Sequence, residues 1–269
     1  MSYTGYLELR AERNSERTVI KDTYHYGAFK VARPIYMTPE SPFVYMLHVG
    51  GGYVSGDKYK TMITVEKNAQ LTATTQSATK VYKTPNEAVL QETCITLEEQ
   101  AIMEYIPDPL ILYENAAFVQ EITVHMAQNA ALFMCDSITP GWSPDGQLFQ
   151  YTSMRSKLKL YVNEQLKVYD HLYLKPESHL RGMMKMEGYT HFGSIIIVHP
   201  NADDAFIAKV HQLCEEAGCK VGASALPIPG CAIRILAAST QEVEDIIAKV
   251  YGFFRQHLLK AEVSLLRKY

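Results

Sequence analysis

Along the first two thirds of the chain, short segments rich in Val, Ile, Thr and Tyr alternate apolar and polar positions. Phe43 to Val49, Thr61 to Glu66, Leu71 to Thr75, Leu90 to Leu97, Phe118 to His125, Leu158 to Val162 and Leu166 to Leu174 all have this period of two. Such alternation predicts half-buried strands, read here as antiparallel. Gly50-Gly51-Gly52, Pro107-Asp108-Pro109 and Pro140-Gly141 supply turns between them, and Asn163-Glu164 reads as a two-residue hairpin tip.

Three of these strands repeat one another. Ile63-Thr64-Val65-Glu66 runs through Ala69 into Leu71-Thr72-Ala73, and Ile95-Thr96-Leu97-Glu98 runs through Ala101 into Met103-Glu104. Ile122-Thr123-Val124-His125 does the same through Ala127 into Ala131-Leu132-Phe133, and Leu158 to Val168 is a fainter copy. Strand-turn-strand units at such spacing stack into a solenoid-like body in which each unit covers its neighbour's apolar edge. The last third changes period. After a buried strand, Ser194 to His199, Asn201 is expected to cap a helix with Phe206, Val210 and Leu213 on one face, ended by Gly218. Ala232 to Ala237 reads as a strand. Ser239 with Glu242 forms a capping box for a second helix carrying Val243, Ile246, Ile247, Val250, Phe254 and Leu258. No Gly/Ser/Pro-rich linker intervenes. The expected architecture is mainly β, a stacked, helical arrangement of β-sheets with a C-terminal two-helix α/β segment. It forms one domain over 1–269, with a β body at 1–190 and a βαβα packing segment at 191–269.

Charge narrows the function. With 26 Lys+Arg against 29 Asp+Glu the formal net charge is −3, so no global positive field attracts nucleic acid or an anionic membrane surface. The longest purely aliphatic run, Ile195 to Val198, is far too short to span a bilayer, and Met1 to Arg10 lacks the order of a secretory signal, which leads to a cytoplasmic expectation. Five cysteines without a CxxC pair fit reduced, mostly buried thiols, and 18 Tyr against 1 Trp is the unusual entry in the composition.

Enzyme signatures are absent from the sequence. The glycine-rich Gly50 to Asp57 lacks the GK[ST] of a P-loop, and there is no GxSxG elbow, HExxH pair or clustered Cys/His site. The densest polar stretch is Leu71 to Tyr82. There Thr74, Gln76 and Lys80 on one face would set a row of donors and acceptors beside a cation; an ordinary Thr-rich ladder is the alternative.

An ordered set of motifs carries a resemblance. Gly51-Gly52-x3-Gly56-Asp57, Thr74-Thr75-Gln76-x3-Lys80-Val81-Tyr82, Glu104-Tyr105-Ile106-Pro107-x3-Ile111, Cys135-Asp136 and Gly141-x4-Gly146 follow in the order found in the urease accessory protein UreD (UreH) family. The chain departs from the family's usual Glu-Trp-[Leu/Ile]-Pro at Tyr105, and from its Gly-Arg-x4-Gly-Glu at Trp142 and Gln147, where Asp145 is the nearest carboxylate. The resemblance implies a maturation factor rather than an enzyme. Such a factor binds apo-urease and UreF, and through UreF the GTPase UreG that brings nickel; with UreF a dimer of heterodimers is expected. It also implies no permanently bound cofactor and nickel in transit, past Asp57, Asp136 and Asp170, which match acidic positions of the family. Glu104 and Glu114 are further candidates, with Thr74, Thr75, Gln76, Lys80 and Tyr82 lining a conduit. A route must bind its cation weakly enough to release it, which suits isolated carboxylates, carbonyls and water better than a His/Cys cage. Each acid also has an ordinary role open to it: Asp57 could cap a turn, Asp170 could end a solvated strand, and Glu104 could pair with Lys80. A β-rich hydrolase-type enzyme, or a structural binding module without a metal role, are the competing readings.

Overall fold

The computed structural model describes residues 2–178, 182, 185–215 and 218–262. The chain opens with β1 (Gly5–Arg13), β2 (Thr18–Gly27), β3 (Phe29–Val31), β4 (Ile35–Thr38) and β5 (Ser41–His48). It continues through β6 (Lys58–Val65), β7 (Gln70–Thr75), β8 (Thr79–Val81), β9 (Val89–Leu97), β10 (Ile102–Ile106) and β11 (Leu110–Leu112). Then come β12 (Ala117–Met126), β13 (Ala131–Ile138), β14 (Ser153–Val162) and β15 (Gln165–Leu174). The C-terminal part holds β16 (His191–Val198), α1 (Asp204–Glu215), β17 (Lys220–Ala225), β18 (Gly230–Ala237) and α2 (Thr240–Phe254). Its last residues, 263–269, lie outside the described ones.

Two sheets face each other. One has the order β15-β14-β12-β9-β6-β1-β2, and the other runs β17-β18-β16-β13-β10-β7-β5-β3, with β4, β8 and β11 at its margins. From β6 to β13 the long strands alternate between the sheets, so the chain winds as a β-solenoid of about four turns. Winding makes successive strands of one sheet parallel, as β1, β6, β9, β12 and β14 are. The antiparallel reading of the alternating segments is therefore corrected: it holds for β5 against β3, for β14 with β15, and in the C-terminal segment. Alternation reports that one face of a sheet is wet, not which way its neighbour runs. Parallel sheets are ordinarily covered on both faces, whereas the seven-stranded sheet here leaves its outer face in water.

The three main repeats are real, with a slip, whereas the fainter copy over Leu158 to Val168 is the β14-β15 hairpin within one sheet and makes no turn between the sheets. Ile63 pairs with Ile95, but Ile95 pairs with Val124 rather than Ile122. A two-residue slip keeps every side chain on its face, so hydrophobic pattern alone does not resolve it. The buried corner alanines are Ala69, Ala101 and Ala130, so Ala127 is replaced by Ala130 in the stack. Each donates its N–H three residues back, to Glu66, Glu98 and Ala127, closing the same tight corner on successive turns.

The Asn163-Glu164 tip joins β14 to β15 as expected, both residues at positive φ (46° and 61°), the requirement of a type I′ turn. In α1 the cap is Asp203, whose Oδ1 accepts from Phe206 N at 2.9 Å, in place of Asn201. Its buried face is Phe206, Val210 and Cys214, while Leu213 points outward. A strand unforeseen in the sequence, β17, lies between α1 and β18; its small and polar residues carry little apolar pattern. The Ser239/Glu242 capping box opens α2, whose Tyr251 and Phe254 pack on Phe133 of β13 with ring centroids 5.1 and 5.3 Å apart. The helices thus cover the outer face of the second sheet. A separate hydrophobic core fills the space between the sheets. All five cysteines are free thiols.

Candidate functional site

The core between the sheets is not filled with apolar side chains throughout. On β6, β9 and β12 the inward phase contains Thr61, Gln91, Thr93 and Gln120 among Ile63, Ile95 and Ile122, and on β13 it contains Asp136 between Met134 and Ile138. Of these polar groups Thr61, Gln91, Gln120 and Asp136 border a cavity of about 250 Å³. It reaches the surface at exposed Gly50, Gly51, Gln76, Ser77 and Lys80, and its floor includes buried Tyr105 and Phe118.

Two segments distant in sequence build the mouth. The chain turns through Gly50-Gly51-Gly52, and Tyr53 pairs with Val81 of β8, which brings the glycine turn against the segment after β7. Gly52 sits at φ +146°, and a Cβ there would come 2.7 Å from Lys80 O, so the approach requires glycine. Tyr82 Oη donates to Gly51 O at 2.6 Å and braces the same turn. Asp108 Oδ2 accepts from Thr75 Oγ1, and Thr75 Oγ1 accepts from Asp108 N, both at 2.7 Å; this reciprocal pair holds the Pro107-Asp108-Pro109 turn on the other lip.

Inside, Asp136 Oδ2 accepts from Gln120 Nε2 at 2.9 Å, and the same amide reaches Ser156 Oγ at 3.2 Å. Asp136 lies deep among its neighbours yet keeps some accessible surface, because the cavity reaches it. Burial pushes its carboxyl up to about 7, partly offset by the Gln120 hydrogen bond, with Asp170 raising it further and Arg234 lowering it. Near the mouth, burial lowers the His48 imidazole, whose Nε2 lies 3.2 Å from Tyr59 Oη. Tyr53 Oη donates to Gln91 Oε1 at 3.0 Å.

The residues singled out in the sequence divide. Thr75, Gln76, Lys80 and Asp136 line the cavity. Thr74 is buried and donates its hydroxyl to Ile106 O, while Tyr82 acts through the glycine turn. The row of Thr74, Gln76 and Lys80 on a single strand face does not form, since β7 ends at Thr75 and β8 begins at Thr79. Asp57 closes the turn before β6, accepting from Thr4 Oγ1 (3.0 Å), Val54 N (2.8 Å) and Tyr59 Oη (2.8 Å); it does not line the cavity and is linked through Tyr59 to His48, which does. Asp170 pairs with Arg234 at 2.7 Å. Glu104 pairs with Arg255 at 2.7 Å, not with Lys80, and Glu114 is exposed at a corner. Among the described residues no three His, Cys, Asp or Glu side chains converge as a metal cage. Likewise no helix among them is long and apolar enough to cross a membrane.

Sequence reasoning missed Gln91, Gln120, Asp108 and Arg234. For the two glutamines a signal was present: a polar side chain standing in the apolar phase of an alternating strand.

A family model described as UreD urease accessory protein matches residues 3–268 of the chain. The protein named urease accessory protein UreD in Bacillus sp. strain TB-90 is 46% identical over 271 residues, covering 100% of both chains. Its namesake in Staphylococcus epidermidis is 40% identical over 273 residues, with 99% of this chain and 98% of that one covered. In Lachnoclostridium phytofermentans the protein of that name is 40% identical over 272 residues, covering 100% and 99%.

Proposed function

The chain belongs to the UreD urease accessory protein family, and on that premise we propose that it is a maturation factor that passes nickel through the cavity between its sheets to apo-urease. It works as a single unit in the cytoplasm, in complex with UreF, as a dimer of heterodimers, and with the GTPase UreG that delivers the ion. The names of the relatives support an accessory role in maturation rather than catalysis. One observation carries the cavity's part in this reading: Asp136 is a deep carboxylate that keeps accessible surface toward a space opening at the Gly50–Lys80 mouth.

The chemistry suits passage rather than storage. Nickel is the cargo, and the wall offers oxygen atoms from Thr75, Gln76, Gln120 and Asp136. Because burial pushes the Asp136 carboxyl up to about 7, a proton competes with an arriving cation there near neutral pH. That competition lowers the affinity and favours release. Gln120 holds one oxygen of this cavity-lining carboxylate by a hydrogen bond.

Asp136→Asn is expected to lower urease activation in cells about tenfold, the scale of one lost charge-assisted oxygen contact, while co-purification with UreF and apo-urease is unchanged. Asp145→Asn is the control. Asp145 is solvent-exposed and its carboxylate, held below its ordinary range chiefly by Ser143 Oγ, serves a local turn. Full activation by Asp136→Asn would remove that residue from the route, and loss of the complex would make its role structural. A mixture of the chain and UreF at micromolar concentration should elute as one species; separate elution overturns the partner assignment.

A further inference from the structure

The polar row continues beyond Asp136. In the second sheet Asp136 pairs with Ser194 and Ser194 with Arg234, so the three residues occupy one register row across β13, β16 and β18. Arg234 Nη1 donates to Ser194 Oγ at 2.7 Å. Its Nη2 lies 2.7 Å from Asp170 Oδ2, a carboxylate contributed by β15, the edge strand of the opposite sheet. About a third of each of these two side chains is exposed, 36% for Arg234 and 35% for Asp170, so the row comes to the surface at this pair. Asp136 is within electrostatic reach of both. Two carboxylates that sense one another are thus accompanied by a cation that belongs to the chain and is paired with one of them.

We propose that Arg234 is a tethered cation guarding the Asp170 end of the row, its guanidinium holding the Asp170 carboxylate and keeping a divalent ion from engaging Asp136 and Asp170 until the arm swings away. A guanidinium suits the task because it never deprotonates and its planar fork matches a carboxylate. Its long, partly exposed arm can leave without rearranging the sheet, since among the described residues its head is held by Ser194 Oγ, Ile233 O and Asp170. A partner that offered Arg234 another carboxylate would open this end where the cargo is needed. Arg234 is a positioning residue here, and the idea rests on the cation route of the preceding section.

Calorimetric titration of the purified full chain with Ni²⁺ tests it. Arg234→Gln keeps a donor for Ser194 and removes the charge. It is expected to bind Ni²⁺ about tenfold more tightly than wild type, the scale on which a neighbouring charge alters a carboxylate's affinity for a cation. Arg234→Lys keeps the charge and should remain near wild type; adding Asp170→Asn to Arg234→Gln should return the affinity toward wild type. Thermal melting verifies that each variant is folded, and Arg234→Met replaces Arg234→Gln if the latter is not. Equal tightening by Gln and Lys would show that packing rather than charge is responsible, and would overturn the proposal. An unchanged Arg234→Gln affinity alongside weakened binding by Asp136→Asn would overturn the guard and leave the route standing. If neither variant alters Ni²⁺ binding, the route itself fails, and the guard with it.

Discussion

Arg255→Met is expected to destabilise the chain by about 3–5 kcal/mol, because it strands a carboxylate that has no water to turn to. Glu104 on β10 is fully buried and the Arg255 side chain is 2% exposed. Arg255 Nη1 reaches both oxygens of Glu104, at 2.8 and 2.7 Å, and Thr72 Oγ1 donates to Glu104 Oε2 at 2.6 Å. Arg255 Nε also donates to Glu262 O at 2.7 Å, so one side chain fastens the turn after α2 to the solenoid. Removing one partner leaves a desolvated charge, whereas removing both need not. Glu104→Met combined with Arg255→Met should therefore recover most of the loss, and a further Thr72→Val should recover more by removing the hydroxyl left without an acceptor. Urea unfolding measures this as a fall in the midpoint at unchanged slope. A loss below about 1 kcal/mol for Arg255→Met would mean that water reaches the pair.

The second large effect concerns Asp136 and depends on pH. Its carboxyl titrates at about 7 in the folded chain, well above the ordinary aspartate value of about 3.9 that it regains on unfolding. The folded state therefore holds the proton more tightly. The stability this contributes is fully present below about pH 3.9 and is lost as pH rises through 7. Asn cannot ionise, so Asp136→Asn should gain stability over wild type as pH rises, by roughly 2–4 kcal/mol at pH 8 after allowance for the face open to the cavity. Comparing the two proteins by urea unfolding at pH 5 and pH 8 cancels the titration of groups that do not sense Asp136. A difference that stays flat between those values would show that the carboxylate is as well solvated as a surface one. A variant more stable than wild type yet poor at activating urease would separate the cost of holding this charge from its use.

Local chemistry was legible wherever it is decided by neighbours in sequence. The capping box of Ser239 and Glu242, the Asn163-Glu164 hairpin tip and the apolar face of α2 from Val243 to Phe254 depend on residues a few positions apart and formed as read, apart from Tyr251, which joins that face, and Leu258, which falls in the turn after the helix. The stacking of strand-turn-strand units was legible too, since a repeat stays visible when its register is misjudged by two. The glycine and TTQxxxKVY motifs, legible in the sequence only as marks of a family, lie together at the mouth of the cavity.

Pairing across long stretches of chain was not legible. Strand direction follows from how the chain returns, and alternation is the same for a parallel and an antiparallel neighbour when one face is wet. Glu104 meets Arg255 across 151 positions, and Asp170 meets Arg234 because β15 and β18 lie at corresponding ends of opposite sheets. A carboxylate has the same composition whether it caps a turn, as Asp57 does, is locked in an ion pair, as Glu104 is, or faces a cavity, as Asp136 does. Its role is set by which charges and how much water surround it, and those are properties of the packed sheets rather than of the residues beside it in the chain.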